Sequence, residues 1–303
     1  APYPPGLYRR PLCAGYLSCR EPIEMRRVKA VDVLNEVIRI TVAAGREILS
    51  VYEQSYQIEN KADGSPVTTA DLRAHELIVR ELSVLTPNIP VLSEESSNIV
   101  ASERLRWSAF WLVDPLDGTK EFIKRNGEFT VNIALVEKHR PMIGVVHTPV
   151  GGSTYYAATG QGAWRIQGHH APTAIKSRSY DGGAARMVAS RSHLGAAVIA
   201  FRDTLLAESG LPVESVNMGS SLKVCLVAEG EADVYPRLGL TSEWDTAAAD
   251  CVLNEAGGAV IDLDGNPLQY NKVNLLNPWF IATGDTGYDW PGLAQRAGVK
   301  GVD

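Results

Sequence analysis

The stretch that most constrains this chain is residues 111–119, which read Trp-Leu-Val-Asp-Pro-Leu-Asp-Gly-Thr. The apolar start is typical of the end of a buried strand, and the Asp-Pro step that follows predicts a turn. Such a turn presents two carboxylates, from Asp114 and Asp117, beside the backbone carbonyl of Leu116. Oxygen ligands of this kind suit a hard cation such as Mg²⁺. The final Gly-Thr stands where a helix can begin, and a helix N-terminus binds phosphate oxygens. The segment therefore indicates a metal-assisted phosphatase.

Asp-Pro and Asp-Gly are also common in ordinary turns, and Asp is a good helix N-cap, so this segment alone leaves a structural explanation open. Three further segments place acids in similar positions. Asp71 opens a predicted helix, Glu94 and Glu95 follow a short apolar strand, and Asp245 stands where another helix begins. Each acid taken singly is explained as well by a cap or a solvated residue. The combination predicts one cluster of carboxylates.

The composition argues against several classes of protein. The net charge is −6 with no long basic run, which argues against a nucleic-acid polymer as the partner. No stretch approaches the roughly 18 apolar residues of a membrane span. The four cysteines form no Cys-x-x-Cys pair, and a reducing cytoplasm is the simplest setting for them.

The order of the segments predicts two domains behind an N-terminal extension. Residues 1–29 hold four prolines among the first eleven residues and are expected to be loosely ordered, either as a targeting segment or as an upstream extension. Residues 30–175 are expected to form an α+β metal-binding domain with an antiparallel sheet. Residues 176–303 are expected to form an α/β domain that completes the substrate pocket.

Hydrophobic spacing predicts the individual elements. Helices are predicted at 30–53, 71–85, 196–208, 220–230 and 244–257. Strands are predicted at 90–93, 111–113, 128–137, 142–148, 153–158, 160–164, 187–190, 213–217 and 232–235, with a last one after Gly258.

Four motifs in this order resemble those of the Mg²⁺-dependent, lithium-sensitive phosphatase superfamily that includes inositol monophosphatase. They are Thr68-Thr-Ala-Asp71, Glu94-Glu95-Ser96, Asp114-Pro-Leu-Asp-Gly-Thr119 and Trp244-Asp245. The resemblance covers roughly residues 30–290. It implies the layered αβαβα sandwich of the sugar phosphatases, a mixed α+β and α/β fold.

The resemblance also implies a metal site of two or three Mg²⁺ ions. Glu94, Asp114 and the carbonyl of Leu116 would hold the first ion. Asp114, Asp117 and Asp245 would hold the second. A third, weaker ion would lie near Glu94, through Glu95 and water.

The remaining roles implied by the resemblance concern the water and the substrate. Asp71 and Thr119 would orient and deprotonate the attacking water, while the N–H groups of Gly118 and Thr119 would hold the scissile phosphate. The nucleotide and its second phosphate would be bound by residues on the second half of the chain together with one lysine of the first: Lys120, Ser220, Ser221, Lys223 and Arg237.

Within the superfamily, the details resemble the 3′(2′),5′-bisphosphate nucleotidases of CysQ type. Lys120-Glu-Phe follows the 111–119 segment where inositol monophosphatases have Thr-Asn-Phe, and Arg237 stands where they carry an acid that binds sugar hydroxyls. A guanidinium suits a second phosphate. The expected reaction is hydrolysis of the 3′-phosphate of adenosine 3′,5′-bisphosphate to AMP, with 3′-phosphoadenylyl sulfate as a second substrate, by a monomer or homodimer.

Two alternatives remain open from the sequence. One is an inositol monophosphatase or promiscuous sugar phosphatase, which would share the metals and differ in the pocket. The other is a catalytically silent metal-binding interaction protein on the same fold. Lys120 and Arg237 are the residues that discriminate the first alternative, and the competing explanation of Arg237 is a solvated surface residue.

Overall fold

The structure is a computed structural model that describes residues 23–53, 58–60, 66–190 and 195–301. The first helix begins at Ile23, so the end of the predicted 1–29 extension is helical; the rest of that extension lies outside the described residues.

The helices and strands follow the predicted order, with several short elements that the hydrophobic pattern did not indicate. The helices are α1 (Ile23–Tyr52), α2 (Thr69–Leu85), α3 (Ala101–Arg104), α4 (Thr119–Ile123), α5 (Ala196–Ser209), α6 (Leu222–Ala228), α7 (Glu243–Glu255) and α8 (Trp290–Arg296). The strands are β1 (Ile58–Asn60), β2 (Pro66–Thr68), β3 (Val91–Ser93), β4 (Ala109–Asp117), β5 (Thr130–Glu137), β6 (Arg140–Thr148), β7 (Ser153–Ala158), β8 (Ala163–Gln167), β9 (Thr173–Ile175), β10 (Ala185–Ser190), β11 (Val213–Met218), β12 (Val234–Arg237), β13 (Ala259–Asp262) and β14 (Phe280–Thr283).

Two sheets of the described residues form the β layers. One has seven strands in the order β3-β4-β5-β6-β7-β8-β9 and is antiparallel except for the parallel β3–β4 pair. The other has five strands in the order β11-β10-β12-β14-β13. In this smaller sheet β10 is parallel to β11 and β12, while β14 is antiparallel to β12 and β13.

The outer face of the seven-stranded sheet is covered by α1 and α2. The apolar stripe of α1 is fully buried at Val37, Ile40 and Ile48, as its spacing predicts. Gly45 lets α1 lie close to the sheet, because a Cβ there would come within 2.6 Å of the His147 ring. None of the helices in the described ranges combines the length and the hydropathy that crossing a bilayer requires.

Helices α6 and α7 lie between the two sheets, and α5 and α8 cover the far face of the five-stranded sheet. A Cβ at Gly144 of β6 would overlap the carbonyl oxygen of Ala248 of α7, so this glycine sets the close approach of helix and sheet. The layers therefore run α, β, α, β, α, as predicted. The central core contains residues of both sheets. The predicted division of the chain into two domains at residue 175 stays a prediction.

Candidate active site

The strand predicted to end at Val113 continues to Asp117, and the predicted turn is a β-bulge within it. Asp114 pairs with Asn132 and Asp117 with Thr130, so three steps on β4 match two on β5. Pro115 has no N–H to donate to the ladder. Residues three apart on a regular strand face opposite sides. The extra residue of the bulge brings both carboxylates to the same side of the sheet.

Two further acids are fixed by helix N-terminal capping. Asp71 Oδ2 accepts from the backbone N–H of Thr68 at 2.7 Å, and Asp245 Oδ2 accepts from the backbone N–H of Ser242 at 2.8 Å. Both acids are at the third position of their helices, where such a bond is a standard capping feature. One oxygen of each acid therefore caps a helix, which is the role that the structural explanation predicted. The second oxygen of each acid lies among the other candidate residues.

Thr119 links Asp71 to the bulge. Its hydroxyl lies 3.3 Å from Asp71 Oδ1 and 3.4 Å from the carbonyl oxygen of Leu116, and it donates its one proton to either. The hydroxyl, the carboxylate and the carbonyl therefore meet at one point, although 48 residues separate Thr119 from Asp71.

Three acids of the site, Asp71, Asp114 and Asp245, have raised pKa values. Burial is the largest cause of the raised pKa of Asp114, and the charges of Glu94, Asp117 and Asp245 raise it further. The pKa of Asp245 is raised for the same two reasons, burial first and the charge of Asp117 second. The pKa of Asp71 is raised by burial. Such mutual repulsion is the electrostatic signature of a site that needs a cation.

The donor set fits a divalent cation of the Mg²⁺ type, because it consists of carboxylates and a carbonyl. Asp114, Asp117 and Asp245 each use one oxygen for a bond to the protein and keep the other for a ligand. Within the described residues, no three His, Cys, Asp or Glu side chains are already arranged to hold a metal ion. Carboxylates without a cation between them repel one another.

Asp117 is held more firmly than its neighbours. Its Oδ2 accepts from both the backbone N–H and the hydroxyl of Ser221 at 2.7 Å, with Asn132 Nδ2 at 3.4 Å. The Ser221 hydroxyl also lies 2.6 Å from the carbonyl oxygen of Asp245. Ser221, predicted to bind substrate, is thus buried behind two predicted metal ligands.

The cleft that the acids line is also lined by cations. Lys223 is only 8% exposed, and its ammonium lies 5.6 Å from the ring centroid of Tyr235; among the described residues it has no carboxylate partner. Arg237 donates through Nη2 to the carbonyl of Leu240 at 2.7 Å, while its buried Nε has no partner among the described residues. Buried donors without acceptors are costly unless a ligand satisfies them.

Ser220 is a further residue whose polar group a ligand could satisfy. Its φ of 43° lies in the left-handed region, which is strained for a residue other than glycine, and its buried hydroxyl has no partner among the described residues. Strain combined with an unsatisfied hydroxyl in a cleft points to a ligand-binding position.

The structure brings the predicted site residues to one cleft. Its walls include eight of them: Asp117, Gly118, Lys120, Ser220, Ser221, Lys223, Arg237 and Asp245. Asp114, Leu116, Asp71 and Thr119 adjoin it through the bonds described above. Glu94 and Glu95 form a one-turn 3₁₀ helix after β3 and reach the cluster through their charges.

Sequence reasoning missed several residues of this site. Asn132 supports Asp117 and Ser221, and Tyr235, Thr241 and Thr246 line the cleft. Asn132, Tyr235 and Thr246 stood inside predicted strands or helices, but nothing in the local pattern marked them, or Thr241, as residues of the site. From the sequence, Lys120 could pair with Glu121 or Glu243 instead of a substrate; in the structure Glu243 is bound by Lys272.

The sequence matches a known family. The sequence profile of the inositol monophosphatase family matches residues 30–283. The chain belongs to the inositol monophosphatase family. This confirms the superfamily resemblance drawn from the four motifs, all of which lie inside the matched range.

Relatives within the family are similar over nearly their whole length. The chain is 42% identical over 265 residues to the 3′(2′),5′-bisphosphate nucleotidase CysQ of Aggregatibacter actinomycetemcomitans, covering 87% of this chain and 97% of that protein. It is 44% identical over 252 residues to the protein of the same name from Escherichia coli K12, covering 82% and 98%.

Solved structures agree with the predicted fold. CysQ from Bacteroides thetaiotaomicron, described as a bacterial member of the inositol monophosphatase family, superposes with a TM-score of 0.72 at 42% identity and covers 86% of this chain and 97% of that one. Inositol monophosphatase from Anabaena superposes with a TM-score of 0.67 at 23% identity, covering 89% and 96%, and supports the fold alone.

Proposed function

We propose that this member of the inositol monophosphatase family is a Mg²⁺-dependent 3′(2′),5′-bisphosphate nucleotidase. It removes the 3′-phosphate of adenosine 3′,5′-bisphosphate to give AMP, and 3′-phosphoadenylyl sulfate is a second substrate. The observation that carries the proposal is that one cleft combines an acidic wall, which fits a cation, with the cationic side chains of Lys120, Lys223 and Arg237, which fit an anion. The names of the similar CysQ proteins agree with it.

The residues proposed to hold Mg²⁺ are those of the acidic wall: Glu94, Asp114, the Leu116 carbonyl, Asp117 and Asp245, with Glu95 near a third ion. The bound ions supply Lewis acidity toward the phosphate oxygens and lower the pKa of water. The protein's part is to hold each ligand, and the bonds from Ser221 and Ser242 do so for Asp117 and Asp245.

Proton transfer falls to Asp71 and Thr119. Thr119 accepts a proton from the attacking water as its own hydroxyl donates toward Asp71 Oδ1, which lies 3.3 Å away. Asp71 Oδ2 is occupied by Thr68, so Oδ1 is the oxygen that faces Thr119. The backbone N–H groups of Gly118 and Thr119 hold the scissile phosphate. Because α4 is short, they act as individual donors rather than through a large helix dipole.

The second phosphate is what separates a bisphosphate nucleotide from inositol phosphate. Lys223 and Arg237 line the cleft, and within the described ranges Arg237 Nε and the Ser220 hydroxyl are buried without a hydrogen-bond partner. A doubly charged phosphate satisfies all three, whereas a neutral cyclitol ring leaves the two cations unpaired. Lys120 is exposed at the mouth of the cleft and adds to the attraction of an anionic substrate.

The test compares phosphate release from adenosine 3′,5′-bisphosphate and inositol 1-phosphate at equal concentration with Mg²⁺. A strong preference for the nucleotide, abolished by a chelator and restored by Mg²⁺, is expected. A preference for inositol 1-phosphate would keep the metal chemistry and overturn the assignment of Lys223 and Arg237. Release from neither substrate would favour the silent metal-binding protein.

A further inference from the structure

Glu243 is a fully buried acid that does not line the cleft, although it stands two residues before Asp245. Its carboxylate accepts from the backbone N–H groups of Asn271 at 2.5 Å and Lys272 at 2.9 Å, and from the Lys272 ammonium at 2.7 Å. A buried charge is tolerated only where such donors satisfy it. Glu243 therefore ties the first turn of α7 to the loop formed by residues 271–277.

The same loop also holds the residues just before α7. The N–H of Glu243 donates to the carbonyl of Leu275 at 2.9 Å, and the N–H of Asn277 donates to the carbonyl of Thr241 at 2.8 Å. The side-chain amide of Asn277 donates to the carbonyl of Ser242 at 2.8 Å. The segment that precedes Asp245 is thus fixed to the 271–277 loop on both sides of Ser242.

Ser242 is the residue whose N–H holds Asp245 Oδ2. We propose that Glu243 and Lys272 are positioning residues for Asp245: their ion pair fixes the start of α7 against the 271–277 loop and so sets the direction in which the free oxygen of Asp245 meets a divalent cation. This inference rests on the metal site of the proposed function.

The chain contains a matched ion pair away from the site. Asp233, directly before β12, is 2% exposed and accepts from Arg178 Nε and Nη2 at 2.6 Å and from the Arg186 N–H at 2.6 Å. It has the same elements as the Glu243 pair, a buried carboxylate, one cation and a backbone donor. It lies at the opposite end of β12 from Arg237, so it serves as a control for loss of stability alone.

The experiment measures Mn²⁺ binding to the substrate-free protein from the electron paramagnetic resonance signal of free Mn²⁺, together with the thermal midpoint. Lys272→Met is expected to weaken binding at one ion about 10- to 100-fold, the usual effect of removing support behind a metal ligand. Lys272→Arg, which keeps the cation, is expected to recover part of the loss. Arg178→Met is expected to lower the thermal midpoint and leave Mn²⁺ binding unchanged within about twofold.

Two results would overturn the inference. One is wild-type Mn²⁺ binding in Lys272→Met; the other is an equal weakening in Arg178→Met, which would trace the effect to general destabilisation. Glu243→Gln, which keeps the shape of the side chain, provides the same comparison if Lys272→Met does not fold. If the wild-type protein binds no Mn²⁺, the metal site of the proposed function fails; if it binds and Lys272→Met binds equally, only the present inference fails.

Discussion

Asp114 and Asp233 are both buried aspartates, 1% and 2% exposed, but their surroundings are opposite. Asp233 is paired with Arg178 through two hydrogen bonds. Asp114 accepts a hydrogen bond from the Leu116 N–H at 3.0 Å. Its other neighbours are acids, and its pKa is raised most by burial and further by their charges. Where a buried carboxylate has only a structural role, as Asp233 has, a cationic side chain of the same protein pairs with it. A buried carboxylate without a cation among the described residues is available for a ligand, and this is the physical reason for assigning a binding site to the cleft.

The largest expected effect is on catalysis. Asp114→Asn is expected to lower Mg²⁺-dependent phosphate release by at least about 10³-fold, since Asp114 is the proposed bridge between two ions. The same change removes a buried, repelled charge, so the thermal midpoint of the metal-free protein is expected to hold or rise. Rates and midpoints measured on the same preparation check both. Full Mg²⁺-dependent activity in this variant would refute the metal site.

Disrupting the pair of Asp233 and Arg178 is expected to lower stability and leave catalysis unchanged. Arg178→Met leaves Asp233 buried and unpaired, and is expected to cost about 3 kcal/mol of unfolding free energy, the low end for breaking a buried pair because Arg178 is partly exposed. Urea unfolding measures this loss. The kcat of the folded fraction is expected to stay within about twofold of wild type. A large fall in kcat with unchanged stability would erase the distinction between the two aspartates.

Substituting a cation of the cleft is expected to have a smaller effect on catalysis, and one that depends on the substrate. Lys223→Met is expected to lower kcat/KM for adenosine 3′,5′-bisphosphate about 10-fold or more, the value of one hydrogen bond to a charged group. Adenosine 3′-monophosphate lacks the second phosphate, so its kcat/KM is expected to change little. Lys124→Met removes an exposed lysine outside the cleft lining and serves as the control. Equal losses on both nucleotides would show that Lys223 does not read the second phosphate.

Asp250 is a third kind of buried carboxylate, bonded to neutral donors. It accepts from the Tyr270 hydroxyl at 2.7 Å and from the Asn254 amide at 2.5 Å, with Arg140 as the cation that acts on it from a distance. Burial raises its pKa to about 7. Between about pH 4 and pH 7 the native state therefore keeps a proton that the unfolded state has lost, and the free energy of unfolding falls as pH rises.

Asp250→Asn is expected to remove this contribution, changing the slope of stability against pH by about 1 kcal/mol per unit between pH 5 and pH 6.5. Urea unfolding of both proteins across this range measures the difference in slope. An unchanged slope would mean that Asp250 is ionised in the folded protein. The variant is expected to keep its phosphatase activity, because Asp250 contacts no proposed ligand.

The local sequence pattern was enough to predict the long helices and strands and the acids of the candidate site. The apolar stripe of α1, the hairpin of β5 and β6 and the helix start at Asp71 depend on neighbours a few residues away, and such neighbours are visible in a sequence. The prediction was wrong at the end of β4, where Asp-Pro marks a bulge rather than a turn. Both conformations accept a residue without an N–H, so only the pairing with β5 distinguishes them.

The sequence by itself determined the individual helices and strands through their periodicity. Its four ordered motifs determined the family, and the resemblance to that family implied the layered fold and the candidate metal ligands. The tertiary structure alone decided which groups support them. Asn132 meets Ser221 across 89 residues, and Lys272 meets Glu243 across 29. It also decided that Asp233 is paired with a cation while Asp114 has no cationic partner within the described ranges. Such pairings depend on how the two sheets and α7 pack together, and that packing is a property of the whole chain that no short segment contains.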